Sequence, residues 1–388
     1  MATKTMTDTT ITLTDTAEGV WHRDFRLNDG NGPRLAGSPQ WSITRETLRG
    51  GTSAGVDVVH LFNGALRLSI LPTRGMGLWK GLFRSGASEI ELGWQSPVRQ
   101  PVHPAFVNLA EHTGLGWLQG FNEWLCRCGL AWNGPPGVDV VTRADGTVSE
   151  APLTLHGRIA NTPAHHVEAG VSADGPGRLW VRGVVDEVMM FGPCLRLIST
   201  VETQAGSNGF RITDEVQNLA GRPGEMQLLY HTNIGRPFVE AGSRFFAAVR
   251  ELAPRDAAAA RGLGTWPDYE PPTPEYAEQV FLIRPVADEH GQTRVLLSNA
   301  ARERGLSLRF NIRELPCFSL WKCTRAEADG CVTGLEPATG FPNFKSFERG
   351  RGRVIALQPE ETWRAGIEFA VHAGRDAVAD VEREIESL

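Results

Sequence analysis

Long apolar runs are missing from this chain of 388 residues. No stretch approaches the roughly 18 uninterrupted apolar residues that a membrane-spanning helix needs, so no such helix is expected. An excess of positive charge is missing as well. The 39 basic residues are outnumbered by 45 acidic ones, giving a net charge of −6. That balance, without any Lys/Arg run, excludes the electrostatic footprint of a nucleic-acid binder. Cysteine is sparse, at six residues. Residues 1–16 are Thr-rich and lack the apolar core of a secretory signal, so the chain is expected in the cytoplasm with its thiols reduced. Cys126-x-Cys128 is spaced too closely for a structural zinc site. Amphipathic helices are scarce too, which argues against a parallel α/β sheet.

What is present has a period of two. Leu306, Leu308, Phe310 and Ile312 alternate with polar residues, and Leu66, Leu68 and Ile70 do the same, as half-buried strands require. Further strands are expected at 56–62, 179–188, 195–202, 209–216, 225–231, 279–284, 294–298, 317–322, 354–357 and 363–371. With 43 Gly and 24 Pro as punctuation, this pattern indicates an all-β antiparallel sandwich. Val378, Val381, Ile385 and Leu388 repeat at helical spacing and predict a C-terminal helix over about 376–388. Residues 256–261 form a short Ala-rich helical candidate. Neither a linker nor a repeat divides the chain, so one domain is expected. Its core would run over about 50–375, behind an N-terminal arm of about 1–40. The stretch 94–152 reads as a long irregular segment, rich in aromatics and glycines, that walls a site.

Three places set an ionisable side chain at a turn or strand end: His156-Gly157, the strand end Leu228-Leu-Tyr-His231-Thr-Asn233, and Leu335-Glu336-Pro337. On chemistry alone they form an acid/base trio, or equally a set of metal ligands, since imidazole and carboxylate suit several divalent ions. No His-Glu-x-x-His signature is present. His165 and His166 are adjacent, and neighbours on a strand point to opposite faces.

The order of these segments resembles the galactose mutarotase-like superfamily, the aldose 1-epimerases, in its bacterial branch of unassigned role. The His156-Gly157 turn comes first. Next is Asp214 through Asn218 and Pro223 to His231-Thr-Asn233, then Leu335-Glu336 with Pro342-Asn343, and last Leu357-Gln-Pro359-Glu360 before the final strand. Leu71-Pro-Thr-Arg74-Gly-Met-Gly77 and the segment from Cys128-Gly-Leu to Gly134-Pro-Pro also match that branch. The resemblance implies a large antiparallel β-supersandwich that interconverts the α and β anomers of a reducing sugar without a cofactor. It implies Glu336 as the base at the anomeric hydroxyl, His231 as the acid at the ring oxygen, and His156 as the orienting histidine. Gly157-Arg158 and Thr232 depart from the galactose enzymes and leave the sugar open.

Expected substrate contacts are Arg74, Arg158 and Lys322 for an anionic substituent, with Asn133, Asn233 and Asp268 for hydroxyl groups. Trp132 is expected to stack on the sugar, as are Trp117, Trp124 and Trp321. The partner expected is a small carbohydrate, with no nucleic acid and no membrane, and a homodimer is compatible with the sequence. Two other readings are a sugar-binding protein without catalysis, and an isomerase or epimerase acting on the open-chain sugar.

Overall fold

Two antiparallel sheets carry the fold in the computed structural model, which describes residues 8–86, 88–142 and 146–388. One sheet has ten strands and the other thirteen. Alternating Val, Leu, Ile and Phe from both pack into one core. Leu197, Ile212, Leu308 and Phe369 come from the first sheet, and Leu61, Leu68, Leu228 and Leu320 from the second. Every strand expected from the period of two is present. The C-terminal helix Arg375–Glu386 lays Val378, Val381 and Ile385 on Leu296. The short helix Ala257–Arg261 also forms, its first N–H groups capped by the Asp256 carboxylate.

Two expectations need correction. The N-terminal arm is woven into the sheets: strand Asp8–Asp15 pairs with strand His166–Ser172, and Phe25–Asn28 pairs with Ser42–Thr47. Its first seven residues lie outside the described region. The stretch 94–152 is not irregular throughout. It contributes strand Leu125–Leu130 to the middle of the larger sheet and a hairpin, Gly137–Thr142 with Val148–Leu153. Leu125–Leu130 escapes a search for alternation because all six of its residues are buried. The rest of the stretch crosses the outer face of the sheet, so both faces are dry and polarity no longer alternates.

This second dry layer is a small cluster of its own. Trp117, Phe121, Cys126, Cys128, Ala160, Leu229 and Ala338 pack there, flanked by Trp94 and Trp321. The cysteines are free, and five of the six are buried.

The two sheets are pinned together by one buried ion pair. Arg127, on the central strand of the larger sheet, donates from Nε and Nη2 to the Asp214 carboxylate on the other sheet. Its remaining donors reach Met76 O at 2.9 Å and Ser199 Oγ at 2.7 Å. Neither Arg127 nor Asp214 exposes side-chain surface. Removing one partner of such a pair leaves a bare charge in a dry core. Asp214→Ala is therefore expected to lower the unfolding free energy by about 3–5 kcal/mol, measured by urea unfolding at neutral pH. Arg127→Met combined with Asp214→Leu should recover much of that loss. A loss below about 1 kcal/mol in the single variant would show that the pair does not pin the sheets.

Candidate active site

Strand register assembles the centre of the site. Strand Gly224–Ile234 pairs with Val332–Ala338, matching Leu229 with Ala338 and Thr232 with Leu335, so His231 stands across from Glu336. On the far sides His231 pairs with Cys126, and Glu336 with Ser319. A row of four side chains, Cys126, His231, Glu336 and Ser319, thus crosses the outer face of the sheet. His231 Nε2 lies 3.2 Å from Glu336 Oε1. Gly334 makes room for this contact. A Cβ there would sit 2.3 Å from Glu336 Oε1 and 3.2 Å from His231 Cε1.

His156 arrives from a turn. Its backbone is left-handed at φ 58°, and Gly157 follows at φ 73°. A Cβ on Gly157 would lie 2.3 Å from Gly129 O, so the turn needs glycine. The His156 and His231 rings are 5.5 Å apart. Trp117 packs 4.9 Å from His156, and Phe121 and Trp321 each lie 5.3 Å from His231. The three sequence-predicted acid/base residues therefore converge under an aromatic wall.

Both histidines are held in one tautomer. His231 Nδ1 donates to Asn233 Oδ1 at 2.6 Å, while the Asn233 amide N–H group donates to Glu123 O and His231 O. That fixes Asn233 as an acceptor and leaves the Nε2 lone pair facing Glu336. His156 Nδ1 likewise donates to Asn133 O at 2.8 Å.

Burial then sets the charge state. His231 is 5% exposed and Glu336 3% exposed. Removal from water, reinforced by the charge of His156, pushes His231 down from 6.5 to about 3; the Asn233 hydrogen bond opposes the shift. Burial lowers His156 to about 4. It raises Glu336 from 4.5 to about 8, against a partial counter-effect from Arg255. Burial therefore favours the neutral pair, with the proton on Glu336 and His231 Nε2 bare beside it.

Other buried polar atoms in this region lack partners. Glu336 Oε1, Trp117 Nε1, Ser319 Oγ and both amide atoms of Asn133 make no hydrogen bond. The 3.2 Å contact between His231 and Glu336 is thus a close approach without hydrogen-bond alignment. Unsatisfied donors and acceptors concentrated at one place indicate a site completed by a polar ligand. Among the described residues, no three His, Cys, Asp or Glu side chains take up a metal-ligand arrangement.

Several expected substrate contacts lie elsewhere. Arg74 is 1% exposed, and its donors are committed to Glu123 Oε1, Val102 O, Asn161 Oδ1 and Gly120 O. It staples the covering segment that carries Trp117 and Phe121, and its charge is met by Glu123 and not by a substrate anion. Asn233 is fully occupied in orienting His231. Lys322 follows Trp321 on its strand and so points to the opposite face, donating to Asp268 O and Trp266 O. The Asp268 carboxylate pairs with Arg244. Arg158 and Trp132 border a groove of about 1060 Å³ whose lining includes none of the three acid/base residues. Trp124 lies in the main core. Asn133 does reach the site, through its carbonyl on His156. His165, just before its strand, pairs with Asp186, and His166 pairs with Asp15 and Glu168.

Sequence reasoning placed Phe121 and Trp94 only within the walling segment 94–152, and missed Ser319 and Glu278. Glu278 accepts from Trp321 Nε1 and from Arg255, both at 2.9 Å, and its charge acts on both His156 and Glu336. Register would have revealed Ser319. Nothing in the local sequence marks Glu278.

The sequence matches, over residues 53–371, the model of a family described as Domain of unknown function (DUF4432). A solved structure from Klebsiella pneumoniae, provisionally named an aldose 1-epimerase, is 36% identical with a TM-score of 0.88. The match covers 98% of this chain and 95% of that one. A galactose mutarotase-like protein from Clostridium acetobutylicum is 16% identical, with a TM-score of 0.57, over 84% of this chain and 97% of its own. A galactose 1-epimerase from Lactobacillus acidophilus is 14% identical, with a TM-score of 0.54, over 85% and 98%. These last two share the fold, which is galactose mutarotase-like. No curated protein matches the sequence.

The raised Glu336 value has a consequence for stability. A carboxyl that ionises near 4.5 when unfolded and near 8 when folded stabilises the fold fully below pH 4.5. That contribution drains away as pH rises toward 8. Gln keeps the shape and does not titrate. Glu336→Gln should therefore match wild type in melting temperature at pH 4 and exceed it at pH 8, by thermal unfolding at both values. A deficit at pH 8 would show that Glu336 is ionised without cost.

Proposed function

The chain belongs to the DUF4432 family on the galactose mutarotase-like fold, and we propose that it is a carbohydrate mutarotase, exchanging the α and β anomers of a reducing sugar. The observation that carries this reading is the desolvated His231–Glu336 pair, an imidazole nitrogen and a carboxyl oxygen 3.2 Å apart whose charged forms burial disfavours. Mutarotation needs that and little more: one group takes a proton from the anomeric hydroxyl while another gives one to the ring oxygen. The provisional name of the Klebsiella pneumoniae relative supports the same chemistry.

When a sugar enters, its hydroxyl groups meet the unpaired atoms of Trp117, Ser319 and Glu336 and replace the missing water. Ionisation of Glu336 becomes cheaper, and its proton passes to His231 Nε2. Glu336 then removes the proton from O1 as His231 protonates O5. The C1–O5 bond breaks and leaves an open-chain aldehyde. Rotation about C1–C2 and reclosure with the roles reversed give the other anomer. The proton count of the pair is unchanged at the end. His156, held by Asn133 O beside the ring of His231, orients the substrate through its free Nε2.

Anomer exchange followed by proton NMR, across neutral and acidic aldoses, tests the assignment. Glu336→Gln and His231→Asn should each slow exchange by about 10²–10⁴-fold, with little change in sugar affinity. The double variant should be scarcely slower than either single one, because both groups serve one proton exchange. His156→Asn should combine weaker binding with a smaller rate loss. Wild-type exchange by Glu336→Gln on a sugar that the protein turns over would overturn the base assignment. Binding of sugars with no turnover would make this a sugar-binding protein.

A further inference from the structure

A second cavity, of about 440 Å³, opens beside the acid/base centre, and none of His156, His231 or Glu336 lines it. Trp94 does line it, with its ring 5.0 Å from Phe121, which in turn lies 5.3 Å from His231. The cavity is thus one aromatic layer removed from the centre. It lies on the same outer face of the larger sheet, because Arg67 alternates with the core residues Leu66 and Leu68, and Lys80 pairs with Ser69, two residues along from Arg67 on that face.

Its chemistry is cationic. Arg67, Lys80, Arg99 and Arg236 line it against one acid, Glu91. Arg236 is neutralised by Glu327 at 2.6 Å. Arg67 and Lys80 rest over the rings of Phe62 and Trp79, at 5.4 Å and 4.1 Å, which holds them in place without cancelling their charge. Arg99 is exposed and has no ion-pair partner among the described residues. Independently of charge, Asn122 lines the cavity while only 4% exposed, and neither amide atom finds a hydrogen-bond partner. Its backbone is anchored, its N–H donating to Glu123 Oε2, and Glu123 is locked by Arg74. A buried, anchored amide with both polar atoms unpaired is suited to hydrogen-bond a polar ligand.

We propose that this cavity binds an oxyanion-bearing sugar, with the anion on Arg99, Arg67 and Lys80, the sugar face on Trp94 or Trp79, and a hydroxyl on the Asn122 amide. Indole faces and a single side-chain amide suit a sugar ring, and guanidinium and ammonium groups suit phosphate, sulfate or carboxylate. The inference stands apart from the acid–base reading and survives its failure.

Titration calorimetry on the full chain in phosphate-free buffer tests it, with glucose 6-phosphate, glucuronate, inorganic phosphate and glucose as probes. The sugar anions should bind more tightly than glucose and than phosphate alone, and more weakly as salt rises. Arg99→Glu, at an exposed position that the fold tolerates, and Asn122→Ala should each weaken them by about tenfold or more. His156→Asn, which weakens binding at the acid/base centre, should leave that affinity unaltered. Three results would overturn the proposal. These are no saturable binding of either sugar anion, phosphate binding as tightly as the sugar phosphate, or a loss caused by His156→Asn but not by Arg99→Glu.

Discussion

The scarcity of water around one cross-strand contact governs this site. His231 and Glu336 face each other on adjacent strands, under Trp117, Phe121 and Trp321, and their charged forms are disfavoured together. In water the same two side chains would form an ordinary ion pair. In the dry layer the proton returns to the carboxyl, and the pair becomes neutral with a short path between its atoms. The covering layer on the outer sheet face therefore sets the charge state of the pair. It turns a His–Glu pair that would be charged in water into one whose neutral form is favoured.

Much of the surrounding structure keeps that layer in place. Arg74 ties the covering segment at Val102, Gly120 and Glu123 to Asn161, beside the His156 turn. Glu123 in turn presents its carbonyl to Asn233, and Asn233 fixes the ring of His231. One chain of polar contacts thus runs from the staple to the imidazole, and every member of it is buried. Below the sheet, Arg127 and Asp214 do the corresponding work between the two sheets. Both buried arginines serve to position, which is why neither is free for an anion. Arg67, Lys80 and Arg99, which have no carboxylate partner among the described residues, lie together on the outer face near Trp94.

The strands with one wet face were legible in the sequence. Leu306–Ile312 alternates because one side meets solvent and the other the core, and so do the strands from Leu179 to Glu202. Strands Leu125–Leu130 and Val332–Ala338 were not legible, since they are buried on both sides and carry no period of two. Glu336 was read beside a turn for that reason, although it sits inside a strand. The three residues that the resemblance in segment order singles out do come together in the fold, which spacing alone could not have said. The substrate contacts fared worse. Whether an arginine faces a ligand or a carboxylate depends on residues distant in sequence, as Glu123 is from Arg74 and Asp268 is from Arg244. No local pattern records that.

The central claim is that the acid/base pair is neutral and carries one proton throughout the neutral range. The pH dependence of kcat/KM for anomer exchange, corrected for the uncatalysed rate, tests it most directly. A pair with His231 near 3 and Glu336 near 8 should give a plateau from about pH 5 to 7.5 and a fall above about 8, as the shared proton is lost. A narrow bell, falling below about 5 and again above about 6.5 as an exposed carboxylate and imidazole would, contradicts the account.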